Sequence, residues 1–82
     1  MHTSDEINMS IRRLTDDINN SSTPDSALFF ERGKLFWKTG NKGAAITDFN
    51  TALSLDPASP AKAFLDMATD VMDFYNTDLY NP

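Results

Sequence analysis

Displaced by 35 residues, this 82-residue sequence falls onto itself, apolar position on apolar position. Ile11 lands on Ile46, Leu14 on Phe49, Ile18 on Leu53, Phe29 on Phe64 and Phe36 on Val71, while the small Gly33 lands on the small Ala68. Within each block the matched positions lie three or four apart, the spacing at which side chains share one face of a helix. A helix with one apolar stripe must bury it against another element. A repeat of this length holding two such helices predicts stacked helical hairpins, each unit covering its neighbour. The expected fold class is all-α: antiparallel helical hairpins in a short solenoid of about four helices. Such stacks present an extended surface, which points toward binding rather than catalysis.

Four helices can be placed. The first spans about Asp5 to Asn19, with Ile7, Ile11, Leu14 and Ile18 in one stripe and Thr3 and Glu6 spaced as a capping box. The polar stretch NNSSTPD breaks it, and Thr23 or Asp25 is expected to cap the next helix, with Pro24 in its first turn. That second helix runs from about Asp25 to Lys38, carries Leu28, Phe29, Leu35, Phe36 and Trp37, and ends where Gly40 can turn left-handed. Gly33 sits in its middle, at a cost of ~1 kcal/mol relative to alanine. Close approach of the third helix, at Ala45 or Phe49, is the expected compensation. The third helix follows Asn41 and reaches Leu55, with Ala45, Ile46, Phe49, Ala52 and Leu53 buried, and Asp56-Pro57 stops it. The fourth begins near Ser59-Pro60 and runs to about Asn76, with Phe64, Met67, Ala68 and Val71 inward. No segment alternates with period two for long enough to predict a strand.

Length and composition narrow the chemistry. The chain is expected to be one small, complete domain burying roughly 60–68% of its unfolded surface, which leaves little stability in reserve. It has no cysteine, so disulfides and thiolate zinc sites are excluded. The N-terminus MHTSDEINMS lacks the basic and apolar regions of a secretory signal, and no apolar run approaches the ~20 residues of a membrane span. A cytoplasmic location is expected, and the Asn-x-Ser triplets at Asn8, Asn19 and Asn20 carry no weight. A net charge of −5 argues against general nucleic-acid binding.

Residues 26–59, SALFFERGKLFWKTGNKGAAITDFNTALSLDPAS, resemble a tetratricopeptide repeat. The resemblance rests on Phe29, Gly33 and Phe36 in the first helix, Gly40 at the turn, Ala45, Phe49 and Ala52 in the second helix, and the closing Pro57. The resemblance implies that the solenoid is right-handed. Arg32 departs from it, standing where the family usually has leucine. Residues 10–22 are similar to the second helix of a preceding repeat, with Ser10, Leu14 and Asp17 at the places of Ala45, Phe49 and Ala52. Asp17 there predicts an end cap with a wetter outer face. Residues 61–75 are similar to the first helix of a following repeat, whose second half is missing. The resemblance thus divides a single domain, 1–82, into an N-terminal half-repeat helix (3–20), a complete repeat (26–59), a closing helix (60–76) and a tail (77–82). Repeat units need neighbours, so the tail or self-association must cover the open end. Leu79 or Tyr80 is expected to pack back onto the fourth helix or the groove.

The resemblance also implies a ligand groove between the second and fourth helices, holding a peptide or protein segment. Its lining on this chain is Ala27, Phe30, Lys34, Trp37 and Lys38 from the second helix and Leu65, Thr69, Met72 and Asp73 from the fourth. The alternative stays open that Phe30 and Trp37 are packed between helices and the lysines are merely solvated. Lys34, Lys38 and Lys42 form a basic group, and Asp66, Asp70 and Asp73 an acidic row. They read either as a surface selecting partner charge or as solvated faces with weak ion pairs. Catalytic chemistry lacks a constellation: the one histidine, His2, is at the terminus, no serine has a partner base, and no cysteine exists. Asp16, Asp17 and Asp25 lack the glycine and distal glutamate of a calcium loop. Gly40-Asn41-Lys42-Gly43 follows a helix and is too short for a phosphate loop. The expectations are therefore no enzyme activity, no metal, no cofactor, no nucleic acid and no membrane. A protein or peptide partner is expected. A structural homodimer through the open end is the alternative.

Overall fold

The computed structural model describes residues 3–68, residues 3 and 4 by their backbone alone. Three helices lie wholly within that range: α1 (Thr3–Asn20), α2 (Ser26–Lys38) and α3 (Lys42–Leu55). A fourth, α4, is helical over 61–68, where the description ends. The protein is all-helical, with no strand among the described residues. The expected continuation of α4 to Asn76, the inward Val71, the docking of Leu79 or Tyr80 and the side-chain capping by Thr3 lie outside the described residues.

Local chemistry sets each boundary. Asp25 is the N-cap of α2 and accepts from the Ala27 amide at 2.9 Å, so Pro24 precedes the helix instead of entering its first turn. At the other end Gly40 takes φ +86°. The Asn41 amide bonds back to the Phe36 carbonyl at 2.9 Å and the Gly40 amide to the Trp37 carbonyl at 3.1 Å. These are the two bonds of a Schellman C-cap. Asn41 then caps α3, its Oδ1 accepting from Ala44. One residue thus closes α2 and opens α3, which makes the hairpin tight. Beyond α3, Asp56 Oδ1 accepts from the Ala58 amide at 3.0 Å, and the buried Ser59 hydroxyl accepts from Ala61 at 3.1 Å to open α4.

The core forms where α2 and α3 touch most closely. Ala45, Phe49, Ala52 and Ala61 are fully buried, and Phe49 is the one large side chain completely enclosed among the described residues. A Cβ built on Gly33 would lie 2.7 Å from Cε1 and 2.9 Å from Cδ1 of Phe49, and 3.2 Å from Cβ of Asp48. The mid-helix glycine is therefore explained by contact with Phe49, as expected, and with Asp48; Ala45 is not among its nearest neighbours. Ser26 Oγ donates to the Ala52 carbonyl at 3.0 Å, joining the start of α2 to the end of α3 and fixing the antiparallel pair. Phe30, Phe49 and Phe64 form an aromatic triad with ring centroids 5.3–6.0 Å apart, which brings α4 onto the hairpin. Met67, expected inward, is 47% exposed. Ile46 and Leu53 are half-buried. On α1 the stripe Ile7, Ile11, Leu14 and Ile18 is half-buried while Ser10 and Asp17 are exposed, in keeping with a wetter outer face.

Arg32, the departure from the expected leucine, is an ion-pair centre. Its Nε and one terminal nitrogen donate to the two carboxylate oxygens of Asp48 at 2.7 and 2.8 Å, and the other terminal nitrogen donates to Thr15 Oγ1 at 3.2 Å. Thr15 in turn donates to the Ile11 carbonyl at 2.8 Å. The guanidinium carbon lies 5.6 Å from the ring centroids of both Phe29 and Phe36. Asp48 is 3% exposed, so its desolvation is offset only because this bidentate partner is in place. The bond to Asp48 raises the Arg32 pKa, burial lowers it, and the attraction of Asp48's charge adds to the rise. A folded-state pKa above the ordinary value means the charge contributes stability at every pH below arginine's usual range and loses it only above that range. One arginine thereby joins α1, α2 and α3.

Gly33→Ala is expected to lose about 1–3 kcal/mol through overpacking against Phe49 despite alanine's better helix propensity. Gly43→Ala, with nothing within 4 Å of its Cβ, is expected to be neutral or stabilising by up to ~1 kcal/mol. Thermal denaturation checks both, at roughly 4–8 °C per kcal/mol for a domain of this size. Arg32→Leu strands Asp48 as a buried charge and is expected to lose ~3–5 kcal/mol, whereas adding Asp48→Ala to it recovers most of that loss. Urea unfolding of the two single variants and the double variant reads the coupling.

Candidate functional site

The residues expected to line the groove divide into three groups. Thr69, Met72 and Asp73 lie outside the described residues, as do Asp70 and the tail. Phe30 and Leu65 are half-buried and pack on the core cluster. Phe30 meets Phe64 edge-on, with centroids 5.3 Å apart and planes at 77°. Its first duty is therefore structural, joining α2 to α4. Trp37 is likewise half-buried and packs on the core cluster, while Lys34 is half-buried and Lys38 exposed beside it.

Helical spacing accounts for this placement. Positions 30, 34, 37 and 38 step by four, three and one, so they share one side of α2. Lys34 Nζ lies 4.6 Å from the centroid of Phe30 and 3.2 Å from Glu31 Oε2. Lys42, at the first position of α3, reaches back so that its Nζ is 4.0 Å from the centroid of Trp37. The tight Schellman turn makes this possible by placing the start of α3 beside the end of α2. The aromatic faces are thus capped by ammonium groups, an arrangement worth ~0.5–1 kcal/mol at exposed sites. The acidic row is partly neutralised where it is described, since Asp66 accepts from Lys62 at 3.3 Å in an exposed pair one helical turn apart.

Several features were absent from the sequence reading. Asp48 was not singled out, although a lone carboxylate on the apolar side of α3, beside Phe49, is a signal that an internal cation must meet it. Lys42 over Trp37 depends on the turn geometry and had no signal beyond its proximity in sequence. An apolar hollow of about 170 Å3 is lined by Ala63, Phe64 and Met67 on α4. Two shallow hollows of about 230 and 280 Å3 lie along α1, against Met9 and Arg13. Among the described residues no group of three or more His, Cys, Asp or Glu side chains is placed to hold a metal ion. No helix there is long and apolar enough to cross a membrane.

Compared with protein-family models, with curated proteins and with solved structures, the chain gives no match.

Packing and surface roles should separate on mutation. Phe30→Ala is expected to lose about 2–3 kcal/mol, since a half-buried aromatic that packs on Phe49 and Phe64 is replaced by a gap. Lys38→Ala is expected to stay within ~0.5 kcal/mol of the parent. Chemical denaturation of the two variants checks the contrast.

Proposed function

We propose that this protein is an interaction module that holds a peptide or protein segment in the groove between α2 and α4, on a tetratricopeptide-like helical framework. The framework reading is supported by the Gly33–Phe49 contact, the Gly40 turn, the burial of Ala45 and Ala52, and the half-buried stripe of α1 beside the exposed Ser10 and Asp17. The observation that carries the binding reading is the α2 stripe. Trp37 packs against the core cluster, yet stays half-buried beside the exposed Lys38, so part of its ring remains at the surface. A large amphipathic aromatic on a helix beside cationic side chains is the kind of residue that dominates binding energy. A cytoplasmic, non-catalytic role accords with this reading and with a chain free of cysteine.

A second reading, self-association through the open end, is favoured by one observation. Met67 is 47% exposed beside Ala63 and Phe64 in an apolar hollow. Light scattering separates the two, because the module reading predicts a monomer as concentration rises and the homodimer reading predicts a doubled mass.

The module reading makes a direct prediction. In capture from the native cell, partner recovery is expected to fall at least tenfold for Trp37→Ala and for Lys38→Glu, with far-ultraviolet circular dichroism unchanged. Arg12→Glu, on α1, is expected to retain capture. Equal recovery by all four proteins would remove the α2 face from the binding surface.

A further inference from the structure

We infer that the α2 face is built for an acidic segment whose carboxylates draw Lys34 and Lys42 off the rings of Phe30 and Trp37. This inference rests on the peptide-binding reading above and names the chemistry of its ligand.

Charge segregation is the first support. The chain carries a net charge of −5, yet the strip formed by positions 30, 34, 37, 38 and 42 holds three lysines and no carboxylate. Glu31 touches Lys34 from one side at 3.2 Å and is itself largely exposed, so it neutralises little of the strip. On an acidic chain, a strip of three lysines without a carboxylate attracts acidic ligands, which favours their docking there.

The second support is the state of the cations. Two of the three ammonium groups rest on aromatic rings, at 4.6 Å over Phe30 and 4.0 Å over Trp37. A lysine on a ring at the surface is weakly held. A carboxylate arriving at the partly enclosed strip offers a stronger, charge-assisted hydrogen bond. The exchange moves each ammonium onto the ligand and bares the ring beneath it. The bared rings then accept apolar side chains, so the fitting segment alternates acidic with apolar residues. A nucleic acid suits the strip poorly. The strip has no arginine fork for phosphates, and its three cations are lysines.

Trp37 is the only tryptophan and reports on its own cap. The test titrates the full chain with a short synthetic peptide of alternating Glu and Leu, with its counterpart bearing Gln for every Glu, and with single-stranded oligothymidylate. The acidic peptide is expected to shift Trp37 emission saturably, and its affinity to fall with added salt, which shortens the screening length to ~3 Å at 1 M. Lys34→Gln and Lys42→Gln are each expected to weaken it about 3–5-fold, and Arg12→Gln on α1 to leave it unchanged. Equal binding of the Gln peptide overturns the acidic preference and leaves the groove reading standing. No emission change with either peptide overturns the acidic-segment inference, while the capture experiment with Trp37→Ala decides the groove reading separately. Oligothymidylate binding as tightly as the acidic peptide overturns the assignment to a protein segment.

Discussion

The approach of Phe49 to Gly33 is the contact on which the other packing depends. With ring carbons at 2.7 and 2.9 Å from where a Cβ would stand, α2 and α3 lie closer at this point than any side chain at Gly33 would permit. That closeness encloses Phe49 completely and leaves its outer edge to Phe30 and Phe64. α4 joins the hairpin through that triad. The energetic logic is that of a small domain, in which one fully enclosed aromatic supplies a large share of the dispersion and transfer energy.

The Arg32–Asp48 pair occupies the adjacent positions on both helices, one residue before Gly33 and one before Phe49. The geometry that brings Phe49 to Gly33 therefore also brings Asp48 to Arg32. Being buried, the pair is weak evidence for stability. Its third hydrogen bond, to Thr15, gives it a different value: it specifies how α1 sits on the hairpin. A leucine at this place would pack α1 without dictating its register.

Much of this was legible in sequence, for identifiable reasons. Helix boundaries were readable because Asp25, Gly40, Asn41 and Asp56 act through their own local backbone bonds. The Gly33 contact was readable because a glycine inside a helix demands a neighbour. The Arg32–Asp48 pair was not, since it joins residues sixteen apart, and the departure at Arg32 pointed to no partner. Met67 was placed inward by helical periodicity, but periodicity marks a face without saying whether another element covers it. The candidate site divided in the same way. The stripe of Phe30, Lys34, Trp37 and Lys38 came from the family resemblance, which helical spacing then places on one side of α2, whereas the lysine caps on Phe30 and Trp37 depend on the α2–α3 turn and on rotamers.

The central claim is that one packed contact at Phe49 assembles α2, α3 and α4 into a single body and so holds the α2 stripe in place. Nuclear Overhauser spectroscopy on the dilute full chain tests it most directly. The account predicts simultaneous cross-peaks from the Phe49 ring to the Gly33 α-protons and to the rings of Phe30 and Phe64. Undiminished helical circular dichroism with none of these cross-peaks would contradict it, because the helices would then form without the contact said to organise them.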